Sequence, residues 1–324
     1  IGYLAFGGTT NSTIIYPLFI PALLLCISSI VSIPLNASIC YITIKYRSKY
    51  STLKSKTSTL LVINCLAEFI AKFDNIFFFI SSINGTNFLP LDVDFYWNVL
   101  PLTGVIVSVI FMQAISVDRF LAVAFPIFYL NANHKIYVSI HILIFFSISL
   151  FIMARFIMAA TKSVSTGLVT GLLIDISSTL QTVDPLPSAI IMCSLLATLF
   201  TYFCVAILVK YKADLTSQKM KKFYRSLTLI VAINVGGYIV GTIACISANY
   251  IGVTASTQWY LISSMTIYGN FGIAAIVPIV CINSSDYMKA YQSEFLEIKK
   301  LFGINKVENS NKISPNNIVI LNRK

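Results

Sequence analysis

Charge is what this chain has least of. Only 11% of its 324 residues are charged, against 57% that are hydrophobic. A soluble domain carries about 25% charged residues, so this composition excludes an ordinary water-soluble globule and belongs to the membrane class. Histidine is nearly missing: His134 and His141 are the only two, and neither sits in a ligand cluster. The cysteines (Cys26, Cys40, Cys65, Cys193, Cys204, Cys245 and Cys281) all fall within apolar stretches, with neither metal spacing nor a loop pair for a disulfide. No glycine-rich phosphate loop, nucleophile elbow or zinc motif occurs. These absences leave catalysis, a metal centre or a resident cofactor without residues to rest on.

What is present in quantity is apolar length. Stretches near 16–44, 58–83, 98–122, 136–160, 187–209, 223–247 and 257–281 are each long enough to cross a hydrocarbon core as helix, which takes about 20 residues. Helices are expected, because such runs satisfy their own backbone and lack the period-two alternation of a barrel. The expected fold is therefore an all-α membrane protein, a seven-transmembrane helix bundle.

The formal charge of +11 at first suggests nucleic acid, but its distribution points to a membrane instead. Of 23 basic residues, 20 fall in alternate connections and the tail, on one side of the expected bundle; Lys72, Arg155 and Lys162 are the exceptions. The positive-inside rule then puts the amino terminus outside and the carboxyl terminus in the cytoplasm of a plasma-membrane protein. Basic loops on anionic lipid are compatible with the same arrangement. The sequons Asn11-Ser12-Thr13 and Asn84-Gly85-Thr86 fall on the outer side, where glycosylation occurs. Those at Asn36 and Asn283 fall in a span and on the inner side, where it does not. No cleavable signal is evident, so the first span is expected to direct insertion; the chain opens at Ile1, and residues are expected to precede it.

Connections are too short for a soluble domain, and no internal repeat is visible of the kind that marks many transporters. The chain divides into an extracellular segment 1–15, a membrane domain 16–283, a segment 284–302 and a tail 303–324. Segment 284–302 mixes charges with Tyr287, Tyr291, Phe295, Leu296, Leu301 and Phe302, which suits a short amphipathic cytoplasmic helix on the inner leaflet. The tail is rich in Asn, Lys and Ser and is expected to be disordered.

Asp118-Arg119-Phe120 closes the third stretch, followed by Val123, Pro126 and Tyr129. An Arg at the edge of a bilayer core is costly unless paired, and the adjacent Asp is its nearest partner; an ordinary snorkelling Arg is the plainer alternative. The run resembles the rhodopsin-like G-protein-coupled receptors, whose third helix ends in an acid-Arg-aromatic triplet. It is especially similar to the nematode serpentine chemoreceptors of the class SX group. The resemblance implies an Arg119 latched by Asp118 at rest and released on activation toward a tyrosine, here Tyr202, and a heterotrimeric G protein. Pro126 and Ile127, with Lys221 and Lys222 below the sixth span, would form the rim of that cleft.

Other positions match in part. Glu68 stands in the second span where the family places an acid for a sodium ion, and Ser108 where it has a hydroxyl for the same ion. Lys72, four residues on, shares the face of Glu68 and offers an internal partner in place of sodium; both readings stand at this point. Pro278 keeps the proline of the seventh span and removes one helical hydrogen bond, but Val277 and Cys281 lack the polar neighbours of the family pattern. Asp94 stands where a disulfide cysteine is usual, and the aromatic residues usual in the fourth and sixth spans are missing. Gly236, Gly237 and Gly241 offer the sixth span flexibility or close packing.

The ligand is less defined. The place of the acid that holds an ammonium in amine receptors lies near Pro101, followed by Leu102, Thr103 and Gly104, which argues against a simple amine. Candidate pocket residues are Lys72, Asp74, Trp97, Pro101, Thr103, Gly104, Arg155, Tyr238, Tyr268 and Asn270, a mixed aromatic and polar set suited to a small molecule. The expected function is a chemosensory receptor that binds a small-molecule or peptide ligand and activates a G protein. The alternatives are a seven-span transporter working through Glu68, Lys72 and Asp74, or a ligand-gated odorant channel. Missing repeats weigh against the first, and the basic-residue bias against the second.

Overall fold

The computed structural model describes residues 2–7, 13–163, 168–211 and 251–302, with isolated helical positions between 229 and 247. Nearly all of the described chain is helix. Two short helices, α1 (Gly2–Phe6) and α6 (Pro126–Asn131), accompany the long helices α2 (Tyr16–Lys45), α5 (Leu91–Ala124), α7 (His134–Lys162) and α9 (Leu186–Tyr211). The second apolar stretch forms α3 (Lys56–Ala71) and α4 (Phe73–Ile83), and α8 (Leu173–Val183) lies between α7 and α9. The chain ends in α10 (Ala255–Ala274), α11 (Ile276–Asn283) and α12 (Ser285–Leu301).

Five helices among the described residues are long and apolar enough to cross a membrane: α2, α5, α7, α9, and Ala255–Asn283 taken as one. The second expected span reaches that length only across the interruption at Lys72, whose φ of −74° and ψ of −11° stay helical. The sixth falls almost entirely outside the described residues, with Lys221, Lys222 and Tyr238. Pro278 cannot donate to the carbonyl four residues back, and the helix is interrupted nearby at Ala275.

Helix α5 is the axis. Its most apolar window is 72% buried, against 28–44% in the other four spanning helices. Ile106, Ile110, Phe111 and Ala114 pack with Leu60 and Cys65 of α3, Leu195 and Tyr202 of α9, and Ile276 of α11. The outer faces of the surrounding helices carry Ile20, Leu24, Ile27, Leu143, Phe200 and Phe203 in the open. Such a surface suits hydrocarbon, not water. Gly104 permits the closest approach. A Cβ there would lie 2.7 Å from both the Ala67 carbonyl and the Ala71 nitrogen, so α3 and α5 cross backbone to backbone.

At the end of the bundle away from Asp118, Leu89–Pro90 pairs antiparallel with Leu168–Val169. Leu172 and Phe88 join Ile15, Leu18, Phe78 and Trp259 in a separate apolar cluster. Asp74 accepts from the Leu173 backbone N–H at 3.1 Å, and Asp175 accepts from Thr170 at 2.8 Å. The Gly171 N–H donates to Asp94, while Asn98 donates to the same carboxylate at 2.9 Å. The position that lacks its usual cysteine thus holds this segment by hydrogen bonds. The six described cysteines are free.

Candidate functional site

The Asp118 end is assembled from three turns. Ser55 caps α3 by accepting from the Ser58 N–H, which sets Lys56 and Thr57 in the first helical turn. Pro126 starts α6 at a position where its missing N–H costs nothing, and that single turn carries Tyr129 back over the bundle. Asn133 caps α7 through the N–H groups of Lys135 and Ile136. The three turns direct their side chains onto the last turn of α5.

Asp118 is fully buried and Arg119 is 4% exposed. The guanidinium donates to Asp118 Oδ2 from Nη2 at 2.6 Å and from Nε at 3.1 Å. Thr57 donates to the same oxygen at 2.6 Å, and the Tyr129 hydroxyl to Oδ1 at 3.1 Å. Burial pushes the Tyr129 hydroxyl above the ordinary phenol pKa, which keeps it protonated as the donor. Lys56 donates to the Tyr129 carbonyl. Its ammonium lies 4.3 Å from the Tyr129 ring centroid and 4.6 Å from that of Tyr137, within cation–π range. Asp118 is therefore not a bare counter-ion but the centre of a cluster joining α3, α5 and α6.

Tyr202 of α9 is buried beside this cluster, and its hydroxyl has no hydrogen-bond partner among the described residues. Arg119 and Asp118 both act on it electrostatically. Phe120 packs with Val123 and Val205 on the neighbouring face. Beyond the cluster Phe125, Ile127, Phe128 and Leu130 are exposed, as is Pro126. They form an apolar rim where α6 leaves the bundle.

A second polar cluster crosses the middle. Ser108 donates to Glu68 Oε1 at 2.7 Å, and the Lys72 ammonium lies 3.4 Å from Glu68 Oε2. The same ammonium donates to Asn270 Oδ1 at 2.8 Å, and Asn270 donates to Ser28 at 2.9 Å. All five residues are buried. Of the two readings the sequence leaves open at Glu68, the arrangement present is the internal pair with Lys72. Glu68 already faces a tethered cation, and Val277 supplies no oxygen from the last span. A second cation would add an excess positive charge in a buried site, at a cost of several kcal/mol.

Of the ten expected pocket residues, Tyr238 lies outside the described residues, and the other nine are spread over several places. Lys72 and Asn270 meet, as above, while Asp74 turns away to Leu173. Pro101 is buried within α5, Thr103 donates to the Val99 carbonyl, and Gly104 is spent on the helix crossing. Trp97 is 66% exposed and stacks on Phe77, and Tyr268 is 54% exposed. Trp97 faces outward, as indoles do at membrane interfaces, whereas the Tyr268 ring lies beside Gly237, where an added Cβ would meet it at 3.2 Å. Arg155 donates to Asp184 at 2.7 Å, so its charge is already paired. A cavity of about 240 Å³ lies elsewhere, between α2 and α10, lined by Pro21, Leu24, Tyr260 and Ser263 among others. Pro278 is exposed. Asn84 is exposed at the end of α4, and Asn11 lies outside the described residues.

Sequence reasoning missed Thr57, Lys56 and Ser28 as partners of these clusters. Their one signal was polarity next to or inside an apolar stretch. Among curated proteins, none matches the chain. The family model for the serpentine type 7TM GPCR chemoreceptor Srsx matches residues 29–295, from α2 into α12; the Asp118 cluster lies inside the match, as does the middle cluster apart from Ser28. With its bundle of apolar helices and a match over most of its length, the chain belongs to the Srsx family of serpentine seven-transmembrane chemoreceptors.

Proposed function

We propose that the chain is a chemosensory receptor of the plasma membrane, with seven spans, its amino terminus outside and its carboxyl terminus in the cytoplasm. It binds a small extracellular ligand and activates a heterotrimeric G protein. One observation carries this reading above the others. The Asp118–Arg119 pair is buried and saturated with donors, while the Tyr202 hydroxyl beside it is buried with no hydrogen-bond partner among the described residues. An unpaired buried hydroxyl costs about 1–3 kcal/mol, and such a cost persists where a second arrangement satisfies the group. In that arrangement Arg119 leaves Asp118 for Tyr202, the sixth span moves outward, and the bundle opens a cleft at this end. The exposed rim of Pro126, Ile127 and Leu130, with Lys221 and Lys222, receives the G protein. Pro278 loosens the last span, and α12 lies on the inner leaflet as an eighth helix, its Phe295, Leu296 and Leu301 side chains toward lipid.

The ligand enters from the opposite end. Lys72 and Arg155 each already face a carboxylate, Glu68 and Asp184, which favours an uncharged or weakly polar molecule over a free acid. Of the candidate pocket residues, Lys72 and Asn270 meet at its floor. Asn11 and Asn84 carry N-linked glycans on the same side. The deciding measurement is G-protein activation across a ligand panel in cells expressing the chain. Arg119→Ala should remove the response at unchanged surface expression; a response that persists in the variant overturns the latch.

A further inference from the structure

The middle cluster holds an ion that cannot leave. Lys72 sits at the interruption between α3 and α4 and reaches Glu68 on one side and Asn270 on the other. Ser108 closes the chain on α5 and Ser28 on α2. One unbroken polar path therefore runs Ser108, Glu68, Lys72, Asn270, Ser28 and ties α5, the α3–α4 junction, α10 and α2. The nearest other carboxylate along the chain, Asp74, is turned to the Leu173 N–H instead. Asn75 donates to Ser29 of α2 at 2.9 Å, so the polar tie continues alongside the path.

From this geometry we infer that Lys72 is the resident cation of the bundle core, and that the resting conformation is independent of monovalent metal ions. A mobile ion would couple the core to ionic composition, since occupancy changes with concentration. A side-chain ammonium has fixed occupancy, so only rearrangement of its contacts changes the state of the core. Helix motion in this receptor then works against the Lys72–Glu68 and Lys72–Asn270 contacts. This deepens the receptor reading and rests on it only for the functional meaning of the resting state.

The test uses the full purified chain in detergent or nanodiscs and reads thermal unfolding, with no G protein involved. The melting temperature of the unaltered chain should be the same in sodium chloride and choline chloride at equal ionic strength. A saturable sodium-dependent rise would overturn the inference, and this arm stands even if no variant folds. Lys72→Met should lower the melting temperature by on the order of 10 °C, because Glu68 is left as an uncompensated buried charge. Adding Glu68→Gln to Lys72→Met should recover most of that loss, and Lys72→Arg should lose little. Additive effects of the two substitutions would overturn the pairing. Because the readout is stability, a failure here leaves the Arg119 signalling test untouched, and a failure there leaves this result standing.

Discussion

At Asp118 four donors converge on two carboxylate oxygens, and the arrangement decides what substitution there does. Thr57, Tyr129 and Arg119 all donate, so the carboxylate serves both as counter-charge and as a hub between helices. Removing it would leave Arg119 buried without its carboxylate, a loss of about 3–5 kcal/mol for a pair of this kind. Tyr202 gives a cleaner probe because its hydroxyl has no hydrogen-bond partner among the described residues. Tyr202→Phe keeps the ring in the core and deletes only that hydroxyl. The expected result is stability equal to the parent or higher by about 1–3 kcal/mol, together with a weaker maximal G-protein response. Thermal unfolding and a signalling dose–response curve measure the two sides. A normal maximal response would mean that Arg119 does not move to Tyr202.

At the scale of elements, α12 is fastened to α2 and the Thr52–Lys54 turn. Lys45 meets Glu294 and Glu297 at 2.7 Å each, Asp286 accepts from Thr52 at 2.6 Å, and Tyr287 shares a hydrogen bond with Thr43 at 3.0 Å. The Lys45 ammonium holds both glutamates below the ordinary carboxylate pKa. A carboxylate with a lowered folded-state pKa contributes above its ordinary value of about 4.3 and loses that contribution as pH falls through the lowered one. Hydrogen-exchange protection of α12 should therefore be flat near neutrality and fall only in acid. Lys45→Met should flatten that acid fall; an unchanged profile would mean that the pair does not fasten the helix. The Leu168–Val183 segment makes a different prediction. It is held by Asp74, Asp94 and a two-residue strand pair, and the described cysteines are free. A reducing agent should leave thermal unfolding and ligand response unchanged, and a drop in either would point to a disulfide.

The apolar runs made α2, α5, α7 and α9 legible, because nothing but length and hydropathy is needed to specify them. Lys72 as an interruption was not legible, since neither Gly nor Pro marks it. The Glu68–Lys72 pair followed from four-residue spacing, whereas Asn270 and Ser28 come together only through tertiary packing. Trp97 and Gly104 misled for a related reason: composition identifies a residue as aromatic or small, but not the face of the helix it occupies.

For the whole molecule, the Asp118 cluster acquires its proposed role only from orientation. The Asp118 end is also the end where Lys45, Lys54, Lys56 and α12 gather, and 20 of 23 basic residues belong to that side by sequence. Moving such a set of charges through the hydrocarbon is strongly disfavoured, and the positive-inside rule is the ground for proposing that they lie in the cytoplasm. In the proposed orientation Asp118 and Arg119 face the compartment where G proteins reside, and the Leu168–Val183 segment with α1 faces the surroundings. An epitope tag before Ile1 should be stained by antibody on intact cells, and a tag after Lys324 only after permeabilisation. The reverse pattern would put the Asp118–Arg119 cluster outside, where no G protein could reach it. That outcome would sink the receptor mechanism but leave the Lys72–Glu68 core intact, because the core sits midway and its chemistry does not depend on which end is which.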